Sequence, residues 1–374
     1  MKVLSLNCGS SSIRWGLFDV SREVELAAGK LEESDVASEI WLKVEDLLSN
    51  LARSGEDLPE VIGHRVVHGG EHFANAALID DGVTAAIEAA SPLAPAHNPK
   101  SLRGIREAQK VFPRLPQVAV FDTAFHQSMP PEAYVYPIPY AFYERDRIRR
   151  YGFHGTSHHF VSERAAEMLG KPAGSFTGVT CHLGNGSSIA AIRDGRSVDT
   201  SMGWTPLEGL MMGTRSGDLD PAIVLELASR NELGVEGVAN LLNRESGLLG
   251  VSGVSSDLRV VENAAAEGVS RAQLALDVFA HRVRRGIGAA LGVLGGADAI
   301  VFTGGIGEHA TRMRERVVGS LDGLGVLFDP EANRRCDGRE GFISSADSPI
   351  AILVIPSREE WIIARETEAV VSAR

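Results

Sequence analysis

Val3-Leu4-Ser5-Leu6-Asn7-Cys8-Gly9-Ser10-Ser11-Ser12-Ile13-Arg14-Trp15-Gly16-Leu17-Phe18-Asp19 reads as an apolar strand, a small-residue turn and a second apolar strand. The turn holds one glycine and three serines, so backbone N–H groups are open to an anion. Asn7 offers an amide oxygen at the strand end, and Arg14 sets a positive charge on the returning strand. A polyphosphate with its metal suits that corner, although an ordinary serine-rich hairpin has the same appearance. The second half repeats the device. Gly178 to Leu183 is a strand, Gly184 to Ser188 a turn, and Ile189 to Arg193 a return strand. Gly9-Ser10-Ser11 and Gly186-Ser187-Ser188 thus hold equivalent places, which suggests duplication with two turns facing a shared cleft, where ligands tend to bind.

Outward from the hairpin, Glu23 to Leu31 reads as a third strand and Ala37 to Leu51 as a helix. Val61 to Val67 is a β-rich run, Pro99 to Val111 a helix opening on proline, and Gln117 to Phe121 a short buried strand. Pro130 to Tyr143 and the charged Glu144 to Arg150 read as a surface excursion, with a domain boundary near them. Leu274, Val278, Val283, Ile287, Leu291 and Leu294 are expected along one face of a long helix. Ala299 to Phe302 and Ile350 to Ile355 are strands, and Arg358 to Arg374 is the last helix. Strands alternating with helices give an α/β architecture, and 374 residues favour two domains.

A net charge of −12 argues against nucleic acid as a partner. An anionic substrate would need positive charge gathered locally. Cys8, Cys181 and Cys336 have neither metal-site nor disulfide-framework spacing. No stretch approaches the apolar length needed to span a bilayer, so no membrane role is expected and the expected setting is the cytoplasm.

Arg65 sits inside an otherwise apolar strand and needs an anion, either a ligand or an internal carboxylate. Arg215 follows Met212-Gly213-Thr214 in a polar loop, where a solvated arginine would be unremarkable. Asp122 ends an apolar strand, where ligand-facing residues of α/β sheets lie, or else it caps the following turn. His154, between Phe153 and Gly155, could be structural. His64, His68 and His72 are spaced for a metal face only on a helix, and this segment reads as strand followed by Gly69-Gly70. No G-x-x-x-x-G-K-[ST] occurs, and Thr303 to Gly307 alone is a weak glycine signal. Together these features point to a two-domain, nucleotide-using phosphotransferase with an anionic acceptor.

Several ordered blocks carry a closer likeness: Asn7 to Ser12, His64-Arg65-Val66-Val67-His68-Gly69-Gly70-Glu71, His97-Asn98-Pro99, Phe121 to Gln127, Tyr151 to His158, His182-Leu183-Gly184-Asn185-Gly186, Gly213 to Pro221, Ser252 to Arg259, Gly305 to Glu308, and Arg365-Glu366-Thr367. In this collinear order they resemble the acetate kinase family of the actin-like ATPase and sugar-kinase superfamily. The resemblance implies duplicated ribonuclease H-like α/β domains with an interdomain nucleotide cleft. Residues 1–148 would form the first domain and 149–359 the nucleotide-binding second, with a helix of about 360–374 packing back on the first. It implies reversible transfer of the ATP γ-phosphoryl group to a short carboxylate, and a homodimer.

By the same resemblance Arg65 binds the carboxylate or the phosphoryl group, and Arg215 and His154 stabilise the transition state. Asp122 orients the acceptor or metal. Asn7 and Glu359 match magnesium positions, with manganese as the alternative ion. Arg14, His182, Leu183, Gly184, Asn185, Gly186, Asp257, Leu258, Arg259, Gly305, Ile306, Gly307, Glu308 and His309 match nucleotide contacts for ATP and ADP. Val67, Ala96, Phe153 and Pro206 match the acyl pocket. Four positions depart from the family pattern: Arg14 stands for Lys, Leu258 for Phe, His309 for Asn, and Ala96 for Leu. The last widens the acyl pocket, so propionate is expected to be accepted better than in a typical member. Propionate kinase is the near alternative; an ATP-hydrolysing relative without an acyl acceptor is the distant one. A sugar kinase fits less well, because a neutral hydroxyl wants a base that an ionised carboxylate does not.

Overall fold

In the computed structural model, β1 (Lys2–Cys8), β2 (Ser12–Asp19) and β3 (Val24–Glu32) form an antiparallel meander. β4 (Val61–Val66) runs parallel to β1, and β6 (Gln117–Phe121) runs parallel to β4. The two-residue β5 (Ala77–Leu78) closes the sheet antiparallel to β6, giving the order β3-β2-β1-β4-β6-β5. The structure describes residues 1–9, 12–32, 39–53, 58–95, 97–230 and 233–373. Ser10 and Ser11 of the opening turn, and Ala96 of the expected acyl pocket, lie outside them.

A second sheet repeats the plan. β7 (Gly178–Leu183), β8 (Ser187–Arg193) and β9 (Arg196–Thr200) form the meander. β10 (Ala299–Thr303) and β12 (Ala351–Val354) continue it in parallel, and the short β11 (Gly341–Phe342) closes the edge. The order β11-β12-β10-β7-β8-β9 mirrors the first sheet strand for strand. The turn of Gly184 to Gly186 thus joins the strands that correspond to β1 and β2.

The chain divides into two compact units. The first comprises Met1–Gln127, Phe153–Ser157 and Arg358–Arg374; the second comprises Ser128–Gly152 and His158–Ser357. Residues 128–148, expected in the first domain, therefore lie in the second unit, while 153–157 and residues 358–359 lie in the first.

Strand alternation explains how the first unit is covered. Successive side chains of β1 point to opposite faces. Leu4, Leu6 and Cys8 join Ile40, Val44 and Leu48 of the helix Glu39–Arg53. Val3 joins Val61, Val118 and Val120, which pack on Ile363 and Ala364 of the C-terminal helix Glu359–Ser372. Both faces being covered, β1 is apolar from Val3 to Cys8 except at Ser5 and Asn7.

The long helix Ser270–Leu294 covers the second sheet; Val283 and Ile287 of the expected stripe are in the core and Val278, Leu291 and Leu294 pack against it, but Leu274 does not. Its buried residues are Ala272, Ala275, Leu276, Phe279, Ala280, Val283, Ile287 and Ala290, whereas Leu274 is 53% exposed. Alanines permit close packing on the sheet, and a reading based on large apolar residues passes over them. Among the described residues no helix is long and apolar enough to cross a membrane.

Candidate active site

Alternation also assembles the first half of the site. Residues Val3, Ser5 and Asn7 on β1 share a face with Val61, Gly63 and Arg65 on β4, and with Val118, Val120 and Asp122 on and just beyond β6. The register pairs Leu6 with His64 and Arg65 with Val120, so the three polar residues lie together at the C-terminal ends of three adjacent parallel strands. That is where open α/β sheets bind ligands.

The contacts among them are direct. Arg65 Nε donates to Asp122 Oδ1 at 2.9 Å and Nη2 to Oδ2 at 2.6 Å, a two-point clamp. Arg65 Nη1 donates to Asn7 Oδ1 at 3.1 Å. The internal carboxylate that a strand arginine demands is thus Asp122, and its side chain is only 1% exposed. A guanidinium has five N–H groups; three are engaged here, which leaves two for a ligand, and the side chain remains 14% exposed. Burial works against the Arg65 charge, but the carboxylates of Asp122, Glu359 and Glu360 together more than reverse it, so its pKa lies above the ordinary arginine value.

Asn7 Nδ2 donates to Glu359 Oε2 at 2.8 Å and to Glu360 Oε1 at 3.3 Å. Burial, with the Glu359 carboxylate adjacent, raises the Glu360 pKa. Glu360 was not singled out by the sequence; its only signal there is its place next to Glu359. Arg14 is exposed on β2.

Phe153 and His154 enter this unit on a short stretch laid against Asp122. The Gly155 N–H donates to the Asp122 carbonyl at 2.9 Å, and a Cβ on Gly155 would overlap that oxygen. His154 is half-buried with φ of 57°, a left-handed conformation costly for a non-glycine residue. Phe153 is 1% exposed and meets the His68 ring edge-on at 5.5 Å, and Val67 is 4% exposed. His64 lies on a strand, so the three spaced histidines share no helical face. It bonds Gln117 at 2.8 Å, and burial lowers its pKa to about 4.

The second unit gathers the remaining residues. His182 and Leu183 end β7, and Thr303 pairs with His182 at the end of β10, directly before Gly305 to His309. Asn185 is exposed in the turn, and its carbonyl accepts from the Gly213 N–H at 3.0 Å, which brings the Arg215 loop against this turn. Arg215 Nη1 donates to the Pro206 carbonyl at 2.9 Å and to Met212 Sδ at 3.6 Å. Burial lowers its pKa, and among the described residues it pairs with no carboxylate. A half-buried guanidinium held only by neutral acceptors is suited to an incoming anion.

The other expected nucleotide contacts are placed less simply. Leu258 is 4% exposed and belongs to the core, so it offers no free face for a base. Asp257 caps the helix Leu258–Ala266 and clamps Arg259 through Oδ1 (3.1 Å) and Oδ2 (2.6 Å). Glu308 Oε1 accepts from the Ser357 N–H at 2.9 Å and from its hydroxyl at 3.0 Å. His309 pairs with Asp337 at 3.1 Å. Sequence reasoning missed Arg314, which is 1% exposed and donates to the carbonyls of Gly307 and Glu308, both at 2.7 Å. Burial lowers its pKa to about 10. It ties the Gly305-to-Glu308 segment to the Cys336 carbonyl at 2.8 Å.

A model of the acetokinase family matches residues 27–365. The acetate kinase of Caldanaerobacter subterraneus is 48% identical over 99% of both chains, and that of Halothermothrix orenii is 49% identical over 100% of both. Among solved structures, Porphyromonas gingivalis acetate kinase is 42% identical with a TM-score of 0.90, covering 99% of each chain. A propionate kinase from Francisella tularensis is 40% identical with a TM-score of 0.91 at the same coverage. At 12% identity and a TM-score of 0.50, a Thermus thermophilus ROK hexokinase shares the fold alone. On the family match and these full-length identities, the chain belongs to the acetokinase family.

Proposed function

We propose that this chain transfers the γ-phosphoryl group of ATP to acetate by direct in-line displacement, giving acetyl phosphate and ADP reversibly. The observation that carries the reading is Arg65, a guanidinium inside an apolar strand, clamped by Asp122 with two N–H groups to spare. A carboxylate attacking a phosphate brings two anions together, so positive charge must be supplied where they meet. At about 4 Å and an effective dielectric near 20, one such contact is worth roughly 4 kcal/mol.

In this reading Arg65 holds the acetate carboxylate, and its planar fork suits that group better than lysine would. Asp122, both of whose oxygens face Arg65, aims the guanidinium and takes no proton. The nucleophile is already ionised and needs no base. Arg215 and His154 meet charge developing on the phosphoryl group. Val67 and Phe153 are assigned to the acyl group of the substrate, and the loops at His182 to Gly186 and Gly305 to His309 to the nucleotide.

Asn7 Nδ2 holds Glu359 and Glu360 in one corner, and their two carboxylates are hard-oxygen donors that would fit magnesium, or manganese, with most of its waters kept. When bound, the ion neutralises charge on the β- and γ-phosphates. A second copy of the chain is proposed as partner. The helix Pro221–Ser229 is almost wholly apolar yet buries none of its residues, and Leu225 is 73% exposed. Three buried free cysteines fit a reducing cytoplasm.

The test is ADP release with and without acetate, trapping acyl phosphate as hydroxamate. ADP and hydroxamate that both require acetate support the reading; acetate-independent ADP without hydroxamate supports a plain ATPase. Propionate is the second reading, favoured by alanine at position 96 and by the likeness to the Francisella tularensis enzyme.

A further inference from the structure

The stretch 128–152 does more than cover surface: it grips residues 200–208. Arg150 Nη1 donates to three consecutive carbonyls, Thr200 at 3.0 Å and Ser201 and Met202 at 3.1 Å each. Its Nη2 donates to Glu208 Oε1 at 2.5 Å. One guanidinium therefore holds both ends of the 200–208 loop. The Tyr136 hydroxyl donates to the other Glu208 oxygen and accepts from the Trp204 N–H at 2.9 Å. The Tyr151 N–H donates to the Gly203 carbonyl at 3.0 Å. Space inside the clasp is filled, because a Cβ on Gly203 would overlap the Glu208 carboxylate and the Tyr136 hydroxyl. Within this closed loop lies Pro206, whose carbonyl accepts from Arg215.

We propose that Arg150, Glu208 and Tyr136 form a positioning set that fixes the Pro206 carbonyl and, through it, the Arg215 guanidinium. The inference rests on the reading of Arg215 as the group that meets phosphoryl charge. Among the described residues Arg215 has no carboxylate to orient it, so its direction depends on Pro206 and the Met212 sulfur. The Arg150–Glu208 pair is largely shielded, with side chains 18% and 32% exposed. Lysine cannot reproduce a fork that bonds three carbonyls and a carboxylate together. Misplacing a reacting group by about 1 Å costs on the order of 10²-fold in rate. The hydrogen bonds of the set go to residues 200–208 and to none of those assigned to the nucleotide, so its loss is expected in turnover and not in ATP binding.

A double-mutant cycle with Glu208→Gln and Arg215→Lys tests this, read as kcat and KM for ATP. Glu208→Gln keeps shape and removes charge. The expected result is a kcat lower by about 10–100-fold with KM for ATP within about twofold. In the Arg215→Lys background, Glu208→Gln is expected to lower kcat by less than about threefold, because the group it positions is already gone. Full additivity, an unchanged kcat, or a loss confined to KM overturns the inference. Should Glu208→Gln fail to fold, the same cycle is run with Tyr136→Phe, which removes one donor, and the same outcomes decide. A wild-type protein that makes no hydroxamate overturns the functional reading itself; an active wild type with an additive cycle overturns only the positioning set.

Discussion

Two arginines of the proposed site are held in opposite ways, and their substitutions should separate accordingly. Arg65 is clamped by a buried carboxylate. Removing Asp122 by Asp122→Ala leaves its charge unpaired and should cost about 3 kcal/mol of stability, read by chemical denaturation. A loss under about 1 kcal/mol would contradict the clamp. Arg215 loses no ion pair on substitution, so Arg215→Lys should leave the denaturation midpoint nearly unchanged while kcat falls by about 10³-fold. Near-wild-type turnover would contradict its role. Titration at single residues gives a further expectation. Burial lowers the pKa of His64 and His126 to about 4, against 6.5 for the free side chain. Their folded forms therefore bind protons less readily than the unfolded chain. Their stabilisation is complete above pH 6.5 and is lost as pH falls from 6.5 toward 4, by at most about 3 kcal/mol each. Denaturation at pH 7.5, 6 and 5 should show this slope, and a flat profile would contradict it.

Single elements carry the site because each lays its polar residue at the right end of an otherwise apolar run. Much of that was legible. Arg65 is conspicuous in an apolar strand, Asp122 ends one, and the two strand–turn–strand segments correspond in the two sheets. Other features were hidden for physical reasons. Arg150 and Glu208 lie 58 residues apart, and nothing local marks either. β9 is too polar to stand out, and the long helix buries alanines where the eye follows leucines. The C-terminal helix offers the clearest test at this scale. It carries Glu359 and packs against β4, where a Cβ on Gly63 would overlap Thr367 and lie 2.9 Å from Ile363 Cγ2. Gly63→Ala should push the helix outward, cost about 1–3 kcal/mol, and weaken Mn²⁺ binding measured by electron paramagnetic resonance. Unaltered stability and Mn²⁺ affinity would show that this contact does not set the Glu359 corner.

For the molecule as a whole, the duplicated sheet plan provides two sets of strand ends, one bearing the residues proposed for the carboxylate and the other the loops proposed for the nucleotide. The open helix Pro221–Ser229 makes assembly testable: the wild type should sediment as the proposed dimer and Leu225→Asp as a monomer, and an unchanged mass would remove that helix as the interface. Substrate choice belongs here too. With alanine at position 96, kcat/KM for propionate should lie within about tenfold of that for acetate, since one methylene in an apolar pocket is worth about 1–3 kcal/mol. A steeper fall would remove the wide-pocket reading. The most direct measurement is hydroxamate trapping with ATP and acetate, run on the wild type and on Arg65→Ala. The account predicts stoichiometric ADP and acyl hydroxamate from the wild type and neither from the variant; equal product from both, or ADP formed without acetate, would contradict it.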